Sequence, residues 1–437
     1  MSDLQSIAQH AIETAKKYGA QNASADISRR QSREISWRKG RIEDIDSAGT
    51  YTLFIKLYVD GRYGIFKTSD VNHDSIDNYL RNAIDMTRLL EEDPARGLPD
   101  PSLYENRADI DLELYDPAVA QLTPNDLIEK CGSLEAECQK VQDLDIFDVT
   151  VSYGMKQYEA YLVNTNGFEG VRKQSSAFGK CAIKVSHGEK ISKGVAWHTS
   201  RFWSELHNPY QIASEAVQNC RYRIGAKKIS SKVRTILLDH VKDSFLYRYL
   251  NPLDGYALIR KRSYFSEKLG KMVGSPLLDI QDRPFIKRAI GSRLFDDNGI
   301  SAREATIIDH GVLQSFYIDP YCANKLKMKA TISDSSNIVL TPGKRSRDEM
   351  IADIKDGIYV IDLIGGNSDP VQGDFSHGII GVAIENGKLT QNVSEMNISG
   401  NHLELWNNLT EVGNDPRDDS DYFMPTLRFD NVSTSGS

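Results

Sequence analysis

Cysteine is scarce in this 437-residue chain: Cys131, Cys138, Cys181, Cys220 and Cys322 are scattered, odd in number and form no C-x-x-C pair. That usage predicts free thiols in a reducing compartment rather than a disulfide framework. The start, Met1-Ser2-Asp3-Leu4, has no basic segment followed by an apolar core, so no signal peptide is expected. No apolar run approaches the roughly 20 residues that a membrane helix requires. Positive charge is in deficit, with 53 Lys and Arg against 61 Asp and Glu and a net charge of −8, which argues against a nucleic-acid surface. The basic clusters Arg29-Arg30 and Arg260-Lys261-Arg262 are short and read as solvated faces. Catalytic signatures are missing as well. No H-E-x-x-H and no G-x-S-x-G occurs, Gly365-Gly366 lacks the rest of a dinucleotide fingerprint, and Pro342-Gly343-Lys344-Arg345 lacks a phosphate-loop context. A Ser/His/Asp constellation stays open, because such groups meet only in three dimensions.

What is present describes a globular protein long enough for two domains, 40% hydrophobic and 26% charged. Leu4, Ile7, Ala8, Ala11, Ile12 and Ala15 recur at helical spacing. Strand-like stretches follow, joined at Lys39-Gly40 and Asp60-Gly61, and a second helix is predicted over 75–90. Prolines and acids over 91–117 read as a long connection. The pattern then recurs: a helix over 125–141, a strand over 146–153, hairpins at Asn166-Gly167 and His187-Gly188, and a helix over 209–222. Gly40 to Gly61 spans the same interval as Gly167 to Gly188, which suggests two copies of a helix–strand–hairpin–hairpin unit. The expected fold class is α+β. An N-terminal α/β domain (1–230, with possible halves 1–92 and 118–228) would carry a mixed or antiparallel sheet, and a β-rich domain would follow over 231–437. Helices are predicted over 239–250 and 347–355, and the tail beyond Phe429 is expected to fray.

Glycines concentrate in the last quarter: Gly373-Asp374-Phe375-Ser376-His377-Gly378, then Gly381, Glu385-Asn386-Gly387 and Ile398-Ser399-Gly400-Asn401. Upstream stand Phe295-Asp296-Asp297-Asn298-Gly299-Ile300, Asp309-His310-Gly311, Tyr321-Cys322-Ala323-Asn324 and Pro342-Gly343, and Gly413-Asn414-Asp415-Pro416-Arg417 follows. This ordered series resembles the TldD/PmbA family, also labelled modulators of DNA gyrase, and its ending resembles the PmbA (TldE) branch. The resemblance implies a cytoplasmic two-domain protein with a C-terminal domain of the TldD/PmbA type, working as a dimer. In that family a TldD subunit carries zinc on an HExxxH helix, with further ligation from near the C-terminus, and PmbA-type partners lack those ligands.

The matching helix here would be 239–252. It offers His240, Tyr247, Arg248 and Tyr249, with no His or Glu at ligand spacing, and no cysteine follows Cys322. The resemblance therefore implies a non-catalytic PmbA/TldE-like subunit that binds no cofactor itself and joins a zinc-bearing TldD-like partner acting on unfolded or precursor peptides. Gly373, Asp374, Phe375, Ser376, His377, Gly378, Glu385, Gly400 and Asn401 are the candidate peptide-chamber or structural residues, the glycines letting a peptide backbone approach. Asp374, His377, Glu385, His402 and Glu404 could in principle converge, His402 and Glu404 sharing one face of a strand. Two alternatives stand: an independent hydrolase on an unrecognised site built from Asp374, His377 and Glu385, and a homodimeric peptide-binding scaffold. Direct contact with nucleic acid or membrane is not expected.

Overall fold

The computed structural model describes residues 2–241 and 243–436. Helix α1 (Ser2–Lys17) buries the six apolar positions that recur at helical spacing. A meander follows, β1 (Asn22–Arg38), β2 (Arg41–Val59) and β3 (Arg62–Thr68), closed by α2 (His73–Thr87). Lys39-Gly40 and Asp60-Gly61 form its turns, all four with positive φ, the backbone that two-residue hairpins demand. Past a largely irregular connection and the short α3 (Pro117–Gln121), the same order returns: α4 (Pro124–Gln139), β4 (Ile146–Asn164), β5 (Glu169–His187), β6 (Lys190–Ser200) and α5 (Pro209–Arg221). Helices α4 and α5 each start on proline behind a capping box, Thr123 with Asp126 and Asn208 with Gln211. The equal glycine intervals enclose the middle strands β2 and β5, each 19 residues long.

These strands form one antiparallel sheet in the order β3-β2-β1-β4-β5-β6, with the two meanders joined where β1 pairs β4. Alternation divides its faces. Ile27 and Ile35 of β1 and Val151, Tyr153 and Met155 of β4 pack under the helices. The other face carries Asp26, Ser28, Arg30 and Ser32 of β1. Phe295 covers one end of it, packed on Leu162 and Phe168. Arg172 reaches Asp297 at 2.8 Å, and Lys56 Nζ donates to Asn298 Oδ1 at 2.7 Å.

The remaining chain builds two further sheets. Its elements are β7 (Lys232–Leu238), α6 (Asp243–Leu250), α7 (Gly255–Ile259), β8 (Ile280–Asp282), β9 (Ala305–Asp309), β10 (Val312–Leu313), α8 (Pro320–Leu326), β11 (Ile338–Leu340) and α9 (Arg347–Ala352). After them come β12 (Asp356–Ser368), β13 (Asp374–Glu385), β14 (Lys388–Asn401), α10 (His402–Asn407), β15 (Leu409–Val412), β16 (Tyr422–Phe423) and β17 (Leu427–Ser435). One sheet runs β14-β13-β12-β7-β17-β15 and the other β10-β9-β8-β11-β16. Phe245, Tyr249, Phe265, Trp406 and Phe429 fill the space between them, each almost wholly buried and worth about 2–3 kcal/mol of apolar transfer.

Two expectations are corrected. Helix α6 starts at Asp243, not at 239: Asp239 accepts from the Val241 N–H in a turn before it, and Lys242 lies outside the described residues. The tail is not frayed through 435, because β17 pairs β7, β14 and β15, with Val432 and Thr434 turned inward. Ser437 lies outside the described residues.

Candidate functional site

The glycine-rich hairpin β12–β13 packs against α6 and α10, and most of the candidate residues lie at its turn end. Gly373 closes the turn, its N–H donating to Asp369 O and its carbonyl accepting from the His402 N–H at 2.7 Å. Asp374 pairs Asn401 across β13 and β14 and accepts from its amide at 3.0 Å. Asn401 also caps α10 by accepting from the Leu403 N–H. Phe375 is buried against Phe245 and His402, Ser376 is exposed, and Gly400 lies opposite Phe375 on β14. Gly378 pairs Ile364 across the hairpin. At Gly366 φ is +100°, and a Cβ there would stand 2.2 Å from the Ser376 carbonyl, so only glycine fits this bulge.

Of the side chains that could converge, only the two histidines meet. Glu385 is exposed at the far end of β13, eight residues or about 26 Å of strand from His377. Glu404 sits on helix α10 rather than on a strand. Two positions along a helix place it about 200° around from His402, and it is exposed where His402 is buried. His240, in the turn before α6, pairs with Asp415 at 3.2 Å.

His377 and His402 share Ser368, a residue whose role sequence alone does not signal because it ends the bulged strand β12. The Ser368 hydroxyl lies 3.1 Å from His377 Nε2 and 3.0 Å from His402 Nε2. The polar partners assign the protons. His377 Nδ1 faces the Gly365 carbonyl at 3.3 Å and must donate to it, so its Nε2 accepts from Ser368. His402 then donates from Nε2 to the Ser368 oxygen, which leaves its Nδ1 a buried acceptor without a donor. Both imidazoles are neutral near pH 7. Burial drives His402 down to about 4, with the charge of Arg248 and neighbouring His377 adding to it. Burial also lowers His377, which Arg248 reinforces while the Gly365 carbonyl acts the other way.

Arg248 thus brings a positive charge from α6 to bear on both imidazoles, and its own Nε is buried without a partner. Among the described residues, no three His, Cys, Asp or Glu side chains gather as a metal ion requires. No described helix is long and apolar enough to cross a membrane.

Models of the PmbA/TldA metallopeptidase family match this chain twice, domain 1 over residues 23–87 and the C-terminal domain over 230–436. A solved structure from Bacteroides thetaiotaomicron, named for modulation of DNA gyrase, is 36% identical with 99% of each chain covered and a TM-score of 0.95. The chain belongs to the PmbA/TldD family. It is also similar to the metalloprotease PmbA of Escherichia coli O157:H7, 25% identical over 94% of this chain and 92% of that protein. The structure of TldE from Thermococcus kodakarensis, 20% identical with 98% and 100% covered and a TM-score of 0.88, shares the fold. The expected family and α+β architecture are therefore in place.

Proposed function

We propose that this chain is the non-catalytic subunit of a TldD/TldE-type zinc peptidase: it forms part of an enclosure for unfolded or precursor peptides, and a TldD-like subunit supplies the metal. One observation carries this reading. The helix that would hold zinc in a peptidase subunit presents Arg248, whose charge bears on the two nearby imidazoles. A dication needs electron pairs from several converging donors. Here both inward imidazole nitrogens already face one serine hydroxyl, no carboxylate or thiolate joins them among the described residues, and a guanidinium repels a cation. The residues present do not fit zinc.

The hydrolase built on Asp374, His377 and Glu385 has little support, since those groups do not meet. A homodimeric scaffold stays the rival that experiment must separate. Co-expression with a TldD-like homologue is expected to give co-purification, and peptide cleavage only by the mixture. Cleavage by the isolated chain at the rate of the mixture would refute the proposal, as would stoichiometric zinc retained by this chain alone after dialysis.

A further inference from the structure

The open face of the six-stranded sheet holds a pocket that the hairpin site leaves unused. Its volume is about 450 Å³, and β1, β2, β4 and β5 form its floor. The pairings Thr50–Arg30–Tyr158–Gln174 and Ala48–Ser32–Lys156–Ser176 lay two rows of side chains across it. Its charged residues are Arg30, Lys156 and Arg201, and no Asp or Glu lines it, in a chain whose net charge is −8.

None of these three cations has a carboxylate within ion-pair distance among the described residues, and the contrast with their neighbours is local. Arg29 points to the opposite face and pairs with Glu159 at 2.6 Å. Arg172, two residues before Gln174, is held by Asp26 and Asp297. Arg30 instead lies over the Tyr158 ring, 5.2 Å from its centre, and Lys156 near the Phe178 ring at 5.6 Å. Of the acids on the same face, Glu34, Asp44 and Asp46 lie further out along the β1–β2 hairpin and Asp26 lies the other way along β1 beside Arg172, all outside the pocket lining.

Arg201 is the strongest sign. It is only 7% exposed, and its two outer nitrogens donate to the carbonyls of Ser175 and Ile290. Its Nε is buried with no partner, and burial alone pulls the guanidinium down to about 10 with no carboxylate acting in opposition. A buried cation is ordinarily paired, because desolvation without a counter-charge is costly. The outer edge of β2 adjoins the pocket. Residues 41–50 pair β1 on one side only, since β3 begins its pairing at Leu53, so their outward backbone groups are free to take an added strand.

We infer that this pocket binds a carboxylate of the peptide, while the peptide backbone runs along the outer edge of β2. The inference rests on the peptide-holding role proposed above and names the substrate class it favours. The carboxylate comes either from an Asp or Glu side chain or from the free C-terminus. Both are planar anions suited to guanidinium donors.

Fluorescence anisotropy on the full chain, alone and mixed with a TldD-like subunit, tests this with three labelled ten-residue peptides. One carries two glutamates and a C-terminal amide, one has no acidic side chain and a free C-terminus, and one is neutral and amidated. The expected result is tighter binding of a carboxylate-bearing peptide, with the preferred arm identifying the source and the preference shrinking as salt is raised. Arg30→Gln and Lys156→Gln, both at exposed positions, should each weaken that peptide about tenfold and leave the neutral one unchanged. Equal binding of all three peptides, or a carboxylate preference untouched by both variants, overturns the inference while the peptide-holding role stands. No binding of any peptide in either format overturns both.

Discussion

Acid should unfasten the His377–Ser368–His402 cluster before it attacks the carboxylates, and the size of the effect follows from burial. His402 has an ordinary value of 6.5 and a folded value of about 4. A lowered imidazole value means that the unfolded chain binds the proton more readily. The stabilisation is therefore complete above pH 6.5 and is lost as pH falls towards the folded value. For a single site with these two values the loss is about 2 kcal/mol at pH 5 and about 3 kcal/mol at pH 4. The comparison belongs at pH 7.5 and pH 5.0, where most carboxylates remain ionised. Urea unfolding followed by tryptophan fluorescence is a suitable assay, because Trp406 stacks on Tyr249 beside the cluster. His402→Gln keeps a hydrogen-bonding side chain next to Ser368 and removes the titration. The variant should start less stable at pH 7.5, yet lose about 2 kcal/mol less than the parent chain between the two pH values. Equal losses in the two proteins would refute the assignment of a neutral, buried His402.

Other expectations follow from the same geometry. Gly381→Ala would place a Cβ 2.3 Å from the Tyr359 carbonyl in the middle of the β12–β13 pairing, so its melting temperature should fall by an amount equivalent to about 1–3 kcal/mol, measured by circular dichroism. The His240–Asp415 pair should oppose the buried histidines. Burial lowers His240, but the Asp415 hydrogen bond and the acidic charges around it leave it raised. That stabilisation is full below 6.5 and is lost as pH rises through the folded value, so His240→Gln should flatten this part of the stability profile in pH-dependent unfolding. Zinc added to dialysed protein should leave the melting temperature unchanged. Ser368→Asp combined with Arg248→Met supplies a carboxylate between the two imidazoles and removes the repelling charge, and it should acquire a zinc-dependent rise in calorimetry.

Local patterns exposed much of this fold to sequence reading. The helix of Leu4 to Ala15, the turns at Lys39-Gly40 and Asp60-Gly61, and the recurrence of the meander all rest on contacts between residues close in the chain. The end of the chain reads as frayed from sequence because Ser-Thr-Ser-Gly lacks apolar bulk. What orders Thr434 is remote: its hydroxyl donates to the Lys232 carbonyl and accepts from Arg234, some 200 residues away. The site divides in the same way. Arg248 could be singled out because it stands where a ligand was expected. Ser368 could not, because its role depends on a bulge that brings it between His377 and His402. The alternation His-x-Glu suggests a strand at Glu404, but Asn401 caps a helix there and turns the two side chains apart. Arg201 left no local signal at all, since its isolation depends on what four separate strands do not bring near it.

Arg201 and Arg248 both bury an Nε without a partner, yet their surroundings give the two charges different consequences. Arg248 bears on neutral imidazoles in an aromatic pocket, where the Ser368 hydroxyl engages both Nε2 atoms and an added cation would meet repulsion. Arg201 borders an open pocket with two further cations that have no carboxylate partner among the described residues and a floor of Ser, Thr, Gln and Tyr, where an added anion would find donors. The first environment disfavours Lewis-acid chemistry on this chain. The second favours holding a negatively charged group, and it lies on a sheet whose pairing, not its helices, sets the spacing of the charges. The two environments are separate in the fold, because α6, α10 and the β12–β13 hairpin build the first and the sheet of β1 to β6 builds the second.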